Sequence, residues 1–285
     1  MIPATFDYAR ATSIDDALEK LKAANGGGKF IAGGHSLVPL MKLRMSEPKL
    51  LIDISHIPDL AGISEREGKI VVGAGTVHHA IATSALIHAK CPVLSDAASE
   101  IGDPQVRNRG TIGGSVAHAD PSADFPAVML ALDAEFHLKG PNGWRAVTGA
   151  NFFQDLFTVN MTPDEILANI QFAPVRAAAY AKLHQRASHY AIVGVAAALE
   201  VSNGTITSAR IGLTGATSHA VRLTDVEHAL AGQPLTKTTI EAAAARAAEG
   251  ELGELSSDIH ASADYRRAMI PVFTRRALEG AMARA

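Results

Sequence analysis

The sequence predicts an α+β protein made of three successive units, at residues 1–57, 58–176 and 177–285. Two observations lead to this class. Residues 1–176 mix short strand-like and helix-like segments, whereas the last part of the chain places strands before a run of helices. The texture changes close to residue 175, which is where we expect the last unit to begin.

The first unit begins with an amphipathic helix. Apolar residues recur at helical spacing over 13–25, and Ser13 is a candidate N-cap. Three glycines, 26–28, interrupt this pattern. We then expect a strand over 29–32, a helix over 36–45 and a strand over 50–54.

The second unit contains more strands and one unusual loop. We expect strands at 69–72, 132–138, 144–148 and 165–172, one helix beginning at Thr76 and another over 92–100. Residues 101–124 are rich in glycine and polar side chains and are predicted as a long loop. Long loops in compact domains are uncommon and tend to be functional.

The third unit begins with a predicted hairpin. Residues 189–201 and 205–215 have strand composition and meet at Asn203-Gly204, a typical hairpin turn. Helices rich in alanine and arginine are predicted at about 223–231, 236–249 and 261–283.

The composition is that of a globular protein and excludes several classes. Of 285 residues, 47% are apolar and 19% charged, and the net charge is −3 without basic clusters, which argues against nucleic-acid binding. The start MIPATFDYAR has no signal-peptide pattern, and no apolar run is long enough for a membrane span. We therefore expect a cytoplasmic protein.

Two glycine loops share one design. Ala32-Gly33-Gly34-His35-Ser36 and Thr111-Ile112-Gly113-Gly114-Ser115 each present two glycines and a hydroxyl residue, and each is predicted to follow a short strand. Glycine permits close approach of backbone amides to a ligand, and successive amides can form an anion-binding concavity. A helix after the first loop would add its N-terminal dipole. Two such loops could hold a diphosphate between them.

A simpler interpretation of either loop is an ordinary turn, because most Gly-Gly pairs contact no phosphate. The usual dinucleotide fingerprint is absent, since Gly73-Ala74-Gly75 would need a glycine where His78 stands, and no glycine-lysine-hydroxyl run forms a P-loop. A bound dinucleotide would therefore need another architecture.

The motifs AGGHSLVPLMKLR (32–44), LIDISHIPDLAGI (51–63), IGDPQVRNRGTIGGSVAHADPSADFPA (101–127) and KLHQRASHYAIVGVAAAL (182–199) resemble the FAD-binding medium subunits of the molybdenum hydroxylases. This family includes aerobic carbon monoxide dehydrogenase and xanthine dehydrogenase. The resemblance implies two N-terminal subdomains of the vanillyl-alcohol-oxidase type that clasp FAD, with a C-terminal domain closing over the flavin.

The resemblance also implies roles for individual residues. Ala32 to Ser36, with Leu37 nearby, correspond to the first diphosphate loop, and Thr111, Gly113, Gly114 and Ser115 to the second. Asp124 matches an acidic contact to a ribityl or ribose hydroxyl, and Ile101 and Leu167 match apolar contacts near the flavin and adenine. Lys182 matches a lysine near the isoalloxazine, and Tyr190 matches an aromatic residue that faces this ring.

Each of the polar assignments has a structural alternative. Asp124 could instead cap a helix at Phe125-Pro126, Lys182 could be a solvated surface lysine, and Tyr190 could belong to the core. As a flavin residue, Lys182 could supply positive charge where the reduced flavin becomes anionic. Neither His78-His79 nor His118-Ala119-Asp120 has a convincing third ligand, so no metal site is predicted.

The single cysteine, Cys91, limits which metal centres this chain can hold. Iron–sulfur clusters take about four thiolates, so none can be held here. The resemblance implies a large molybdopterin subunit and a small subunit with two [2Fe–2S] clusters as partners, as a dimer of heterotrimers, with electrons passing from the clusters through FAD to an external acceptor. The alternatives are a free-standing flavin oxidase or dehydrogenase and a non-catalytic assembly subunit.

Overall fold

The computed structural model describes residues 1–250 and 252–285, and its first part is a small parallel sheet with two helices. The strands lie in the order β1-β3-β2, and both pairings are parallel. The elements are β1 Asp7–Arg10, α1 Ile14–Ala23, β2 Gly28–Ile31, α2 Leu37–Lys42 and β3 Leu50–Asp53. The predicted helices and strands are confirmed, and Ser13 caps α1 by accepting from Asp16 N. Strand β1 was not predicted.

The second part is an antiparallel sheet in the order β4-β5-β10-β6-β7, covered by helices. The strands are β4 Ile63–Arg66, β5 Lys69–Gly73, β6 Glu135–Gly140, β7 Gly143–Thr148 and β10 Ile166–Phe172, with a small pair formed by β8 Phe153–Asp155 and β9 Thr158–Val159. The helices are α3 His78–Ala82, α4 Ala85–Lys90, α5 Pro92–Glu100, α6 Pro104–Arg107, α7 Ile112–His118, α8 Asp124–Ala131 and α9 Gly149–Phe152.

The prediction of a structureless loop over 101–124 is wrong. Two short helices, α6 and α7, occupy this segment, and each begins at a side-chain cap. Asp103 accepts a hydrogen bond from Val106 N at 2.8 Å, and Thr111 accepts one from Gly114 N at 3.1 Å. Such caps satisfy donors that a helix start leaves free, so a glycine-rich segment with low helix propensity still becomes helical.

The third part is an antiparallel sheet in the order β11-β12-β13-β14 with three helices. The elements are β11 Ala178–His184, β12 Ala191–Ser202, β13 Thr205–Thr214, β14 Val221–Arg222, α10 Thr224–Leu230, α11 Lys237–Ala245 and α12 Ala263–Met282. The predicted hairpin is confirmed, because Asn203 and Gly204 have φ of +50° and +75°, as a type I′ turn requires. The three predicted helices are confirmed, with α11 ending earlier than expected.

Helix α8 joins the second and third parts. Every residue of α8 is buried, because its sequence DFPAVMLA is apolar after the first position. A Cβ added to Gly212 of β13 would lie 2.0 Å from the Ala127 carbonyl oxygen, so strand and helix are in direct contact. Glycine at 212 permits this approach, which places the third part against the helix that begins at Asp124.

Candidate functional site

The first glycine loop connects β2 to α2. Gly34 has φ of +74°, a left-handed conformation that favours glycine, and its carbonyl accepts from Val38 N at 2.9 Å. Ser36 occupies the N-cap position without a side-chain capping bond, and His35 is exposed. An open cavity of about 440 Å³ lies beside this loop, lined by Gly33, Gly34, His35, Val38, Pro39 and Lys42.

The second glycine loop is held by backbone hydrogen bonds to residues 74–76. Gly113 N donates to Ala74 O at 2.8 Å, and Ile112 N donates to Thr76 O at 3.0 Å. Gly114 is exposed, and a Cβ there would approach only the Thr111 hydroxyl, at 2.9 Å. One expectation is wrong: the loop follows helix α6 and not a strand. The resulting surface at Gly114 is backbone with no side chain over it.

The two glycine loops touch each other. A Cβ added to Gly33 would lie 2.1 Å from the Arg109 carbonyl oxygen and 2.8 Å from Gly110 Cα. The first loop therefore packs on the two residues that precede Thr111. The first loop and the start of the second are therefore in contact, although about 75 residues separate them in the chain.

His78 supports this contact from inside and was not predicted as a site residue. The residue is 5% exposed, and a Cβ on Gly110 would lie 2.6 Å from its Nε2. Its backbone N donates to Gly110 O at 2.9 Å. Burial lowers the pKa of His78 to about 4, with smaller contributions from His35 and Arg107, so the ring is neutral at pH 7. The sequence signal for this role of His78 is Gly110, because a Cβ at that position would collide with His78 Nε2.

Asp124 and Lys182 form a buried ion pair. Lys182 Nζ lies 2.9 Å from Asp124 Oδ1, and their side chains are 1% and 5% exposed. Neither structural alternative for these two residues is correct: Lys182 is not a surface lysine, and Asp124 lies in the first turn of α8 without capping it. Tyr180 donates a hydrogen bond of 2.5 Å to the same Asp124 oxygen and was not predicted.

Burial shifts the pKa values of Asp124 and Tyr180. Desolvation raises the pKa of the Asp124 carboxyl, while Lys182 and the Tyr180 hydroxyl act in the opposite direction. Burial, together with the adjacent Asp124 charge, raises the pKa of Tyr180 well above its usual value. Tyr180 is therefore a neutral hydrogen-bond donor at any physiological pH.

Lys182 also contacts the segments that carry two other predicted residues. Its Nζ donates to Glu100 O at 2.7 Å, next to Ile101, and to His189 O at 2.8 Å, next to Tyr190. Tyr190 is 45% exposed just before β12, so it is not a core aromatic residue. Asp124, Lys182, Ile101 and Tyr190 are thus neighbours.

Leu167 lies in the core beneath the second glycine loop. It is 4% exposed, at an irregularity in the pairing of β10 with β6. The next carbonyl, Ala168 O, accepts from Ala74 N at 2.9 Å, and Ala74 O in turn accepts from Gly113 N. The neighbour of Leu167, Ala168, is therefore connected to the loop through two backbone hydrogen bonds.

Two families of known proteins match the chain. The family described as FAD binding domain in molybdopterin dehydrogenase matches residues 4–174, and the one described as CO dehydrogenase flavoprotein C-terminal domain matches residues 178–281. The chain belongs to the FAD-binding subunits of the molybdopterin dehydrogenases. It is accordingly an oxidoreductase component whose cofactor is FAD.

Relatives match this flavoprotein over its whole length. The medium chain of carbon monoxide dehydrogenase from Hydrogenophaga pseudoflava is 39% identical and covers 100% of this chain and 99% of its own. The subunit alpha of the 6-hydroxypseudooxynicotine dehydrogenase complex from Paenarthrobacter nicotinovorans is 39% identical over 100% of this chain and 97% of its own. These relatives are chains of multi-subunit enzymes by name.

Solved structures show that this flavoprotein shares their fold. Carbon monoxide dehydrogenase from Hydrogenophaga pseudoflava, in a form that lacks the Mo-pyranopterin moiety, matches with a TM-score of 0.95 and 40% identity over 100% of both chains. Quinoline 2-oxidoreductase from Pseudomonas putida 86 matches with 0.92 and 30% over 99% of both. The α+β fold with its two-subdomain FAD-binding part and C-terminal domain is confirmed.

The residues of this flavoprotein fit FAD. Gly114 is exposed near the start of α7, Gly33 brings the first loop against the start of the second, and Asp124, paired with Lys182, begins α8, the helix that follows α7. In the parts of the chain that are described, no group of three or more His, Cys, Asp or Glu side chains is arranged to hold a metal ion. No helix among these residues is long and apolar enough to cross a membrane.

Proposed function

We propose that this chain is the electron-transfer subunit of a cytoplasmic molybdenum hydroxylase. Substrate is oxidised on a large molybdopterin subunit, and a small subunit with two [2Fe–2S] clusters passes the electrons to this chain, which delivers them to an external acceptor. The assembly is a dimer of heterotrimers. FAD supplies the chemistry needed at this point, because a flavin can exchange electrons singly or in pairs.

The observation that carries this proposal is the contact between the two glycine loops. Gly33 packs on Arg109 and Gly110, which places residues 32–36 beside the start of the second loop, and we propose that both loops bind the diphosphate of FAD. The helices behind the loops have six and seven residues. We assign binding to the backbone amides and to the Ser36 and Ser115 hydroxyls, since such short helices contribute little dipole.

The division into units 1–57, 58–176 and 177–285 is part of the same proposal. Each range contains its own main sheet, and the glycine loops lie in the first and second. Ile101, Asp124, Lys182 and Tyr190 would lie at the flavin end, where the third unit meets the second. The site is therefore complete only when all three units are packed together.

The cysteine content supports the need for partners. Cys91 is the single cysteine of the sequence, and it is buried within the core. Burial raises the pKa of its thiol to about 12, so it is an inert thiol and not a cluster ligand. The metal centres of such an enzyme must then lie on other chains.

The test is the flavin content of purified Gly114→Val. The added side chain projects from the exposed start of α7, so we expect a folded chain that no longer retains FAD. Ala242→Val, which adds similar bulk at an exposed position of α11, serves as the control and should keep the wild-type flavin content. FAD released by denaturation is quantified from its absorbance, and circular dichroism reports the fold.

The outcomes separate the alternatives. Unchanged flavin in Gly114→Val would contradict the role of the second loop, and a colourless wild-type chain would favour an assembly subunit. Reduction of the isolated chain by a small organic donor would favour a free-standing oxidase. Co-purification with a molybdenum chain and a cysteine-rich chain is the result that our proposal requires. The relatives act on different compounds by name, so the substrate is decided by assays of that complex.

A further inference from the structure

The ammonium group of Lys182 is buried and bonds to three acceptors of the protein. Its Nζ lies 2.7 Å from Glu100 O, 2.8 Å from His189 O and 2.9 Å from Asp124 Oδ1, and its side chain is 1% exposed. An ammonium group has three N–H donors, and here it has three acceptors. Lys182 therefore has no donor left for a ligand.

The three acceptors come from three different segments. Glu100 ends α5, Asp124 begins α8, and His189 belongs to the turn 185–190 that connects β11 to β12, which we call the Tyr190 turn. Lys182 itself lies on β11. One side chain thus joins two helices of the second part to the turn that presents Tyr190.

The Tyr190 turn has a strained and well-organised backbone. His189 has φ of +62°, which is uncommon for a residue other than glycine. Gln185 organises the turn, because its Oε1 accepts from the backbone N of Ala187 and of Ser188 at 2.7 and 2.6 Å. His189 N donates to Gln185 O, and Gln185 N donates to Tyr190 O. Strain of this kind persists only where surrounding contacts hold it.

Tyr180 completes the cluster from the same strand. Residues 180 and 182 lie two apart on β11 and therefore share one face of the sheet. The Tyr180 hydroxyl donates to Asp124 at 2.5 Å, and a Cβ on Gly194 would lie 2.2 Å from this hydroxyl. Glycine on the neighbouring strand makes room for the hydroxyl to reach Asp124.

We propose that Asp124, Lys182 and Tyr180 act as one charge-balanced unit that positions the Tyr190 turn at the flavin and keeps the net charge beside it close to zero. Lys182 is then a positioning residue whose charge is compensated by Asp124, and not a free cation for the reduced flavin. Tyr180 is the third member, and its hydrogen bond favours the ionised form of Asp124. This inference rests on the proposed placement of FAD.

The sign of the flavin midpoint potential tests the charge balance. Asp124→Asn leaves the Lys182 charge uncompensated, which favours the electron-rich reduced flavin, so the potential should rise. Lys182→Met raises the pKa of the Asp124 carboxyl further, and at a pH where that carboxyl is ionised its charge is uncompensated and the potential should fall. The double variant removes both charges and should return close to the wild-type value. A merely structural role of these residues would not produce opposite signs that cancel.

Tyr180→Phe has a matched control elsewhere in the chain. Tyr8 donates a similar hydrogen bond, of 2.6 Å, to Asp53 in the N-terminal sheet. Loss of the Tyr180 hydroxyl favours the protonated form of Asp124 and leaves the Lys182 charge less compensated, so the potential should shift in the direction of Asp124→Asn but by less. Tyr8→Phe should leave the potential unchanged.

Hydrogen exchange in the Tyr190 turn tests positioning without any flavin. In the double variant Asp124→Asn with Lys182→Met, the amides of Gln185 and His189 should exchange about tenfold faster or more, the scale of one hydrogen bond to a charged group. Amides of the β4–β5 hairpin should not change. The double variant leaves no unpaired buried charge, so comparing it with Asp124→Asn isolates Lys182 even where Lys182→Met does not fold.

The results distinguish this inference from the proposed function. Unchanged exchange in the Tyr190 turn, or potential shifts of one sign in all the variants that retain FAD, would overturn the inference. A wild-type chain without FAD would overturn the proposed function alone, because the exchange comparison still decides whether Lys182 positions the turn.

Discussion

Gly33→Ala tests whether the two glycine loops must touch for FAD to bind. The new Cβ would lie 2.1 Å from the Arg109 carbonyl oxygen and 2.7 Å from the Arg109 carbonyl carbon. Both atoms are backbone, so no side chain can rotate away. Gly33 does not have positive φ, so alanine adds contact strain and no conformational strain. The loops must move apart to accommodate it.

The magnitude follows from the cost of inserting a methyl group into a packed contact. Overpacking of this kind costs about 1–3 kcal/mol. If FAD binding requires the loops to return to their original contact, that cost is subtracted from the binding free energy. Since each 1.4 kcal/mol is a factor of ten, affinity for FAD should fall about 5- to 150-fold.

The assay is titration of the apo chain with FAD, followed by quenching of flavin fluorescence. Gly68→Ala is the control: Gly68 turns the β4–β5 hairpin with φ of +76° and nothing within 4 Å of an added Cβ. Alanine there costs about 1–2 kcal/mol of stability through backbone strain alone. We expect it to keep FAD affinity. Wild-type affinity in Gly33→Ala, or equal losses in both variants, would refute the role of the loop contact.

Two further predictions concern pH. Hydrogen bonds from Arg145 hold the pKa of Glu165 at about 2 against 4.5 in the unfolded chain, so its contribution, at most about 3 kcal/mol, should be present above pH 4.5 and lost towards pH 2. Urea unfolding of Glu165→Gln should show a smaller loss between pH 5 and 3 than wild type, and equal losses would contradict this. Burial lowers the pKa of His78 to about 4 from 6.5, so the free energy of unfolding of the wild type should fall as pH drops from 6.5 to 4. His78→Gln cannot take up this proton, so its free energy of unfolding should fall less over the same pH range.

The periodic elements of this fold could be predicted from sequence because the local pattern and the tertiary structure agree. Helix α1 has its cap and its apolar stripe, and the β12–β13 hairpin has its Asn203-Gly204 turn. Helix α7 was missed, since two glycines lower its helix propensity and its stability comes from the Thr111 cap and from hydrogen bonds to residues 74–76. Strand β1 was missed because it is short, largely exposed and formed by pairing with β3.

In the candidate site, too, some features could be predicted from the sequence and others could not. The glycine loops were visible because glycine in pairs has a local meaning, and the resemblance extended them to Asp124, Lys182 and Tyr190. Sequence could not show that Gly33 packs on Arg109, that His78 fills the space under Gly110 or that Tyr180 reaches Asp124. These contacts join residues 32 to 76 positions apart, and their only local trace is glycine where a Cβ would collide.

The position of Lys182 has a thermodynamic consequence. The glycine loops belong to the first two parts of the chain, whereas Lys182, Tyr180 and Tyr190 belong to the third. A ligand that binds only when these parts are packed together must also stabilise their packing, by an amount set by its affinity and concentration. On the proposed placement of FAD, a change that loosens the third part should weaken FAD binding even when both loops are intact. Lys182 joins the Tyr190 turn to α5 and α8, so we expect its loss to affect both the packing of the third part and the binding of FAD.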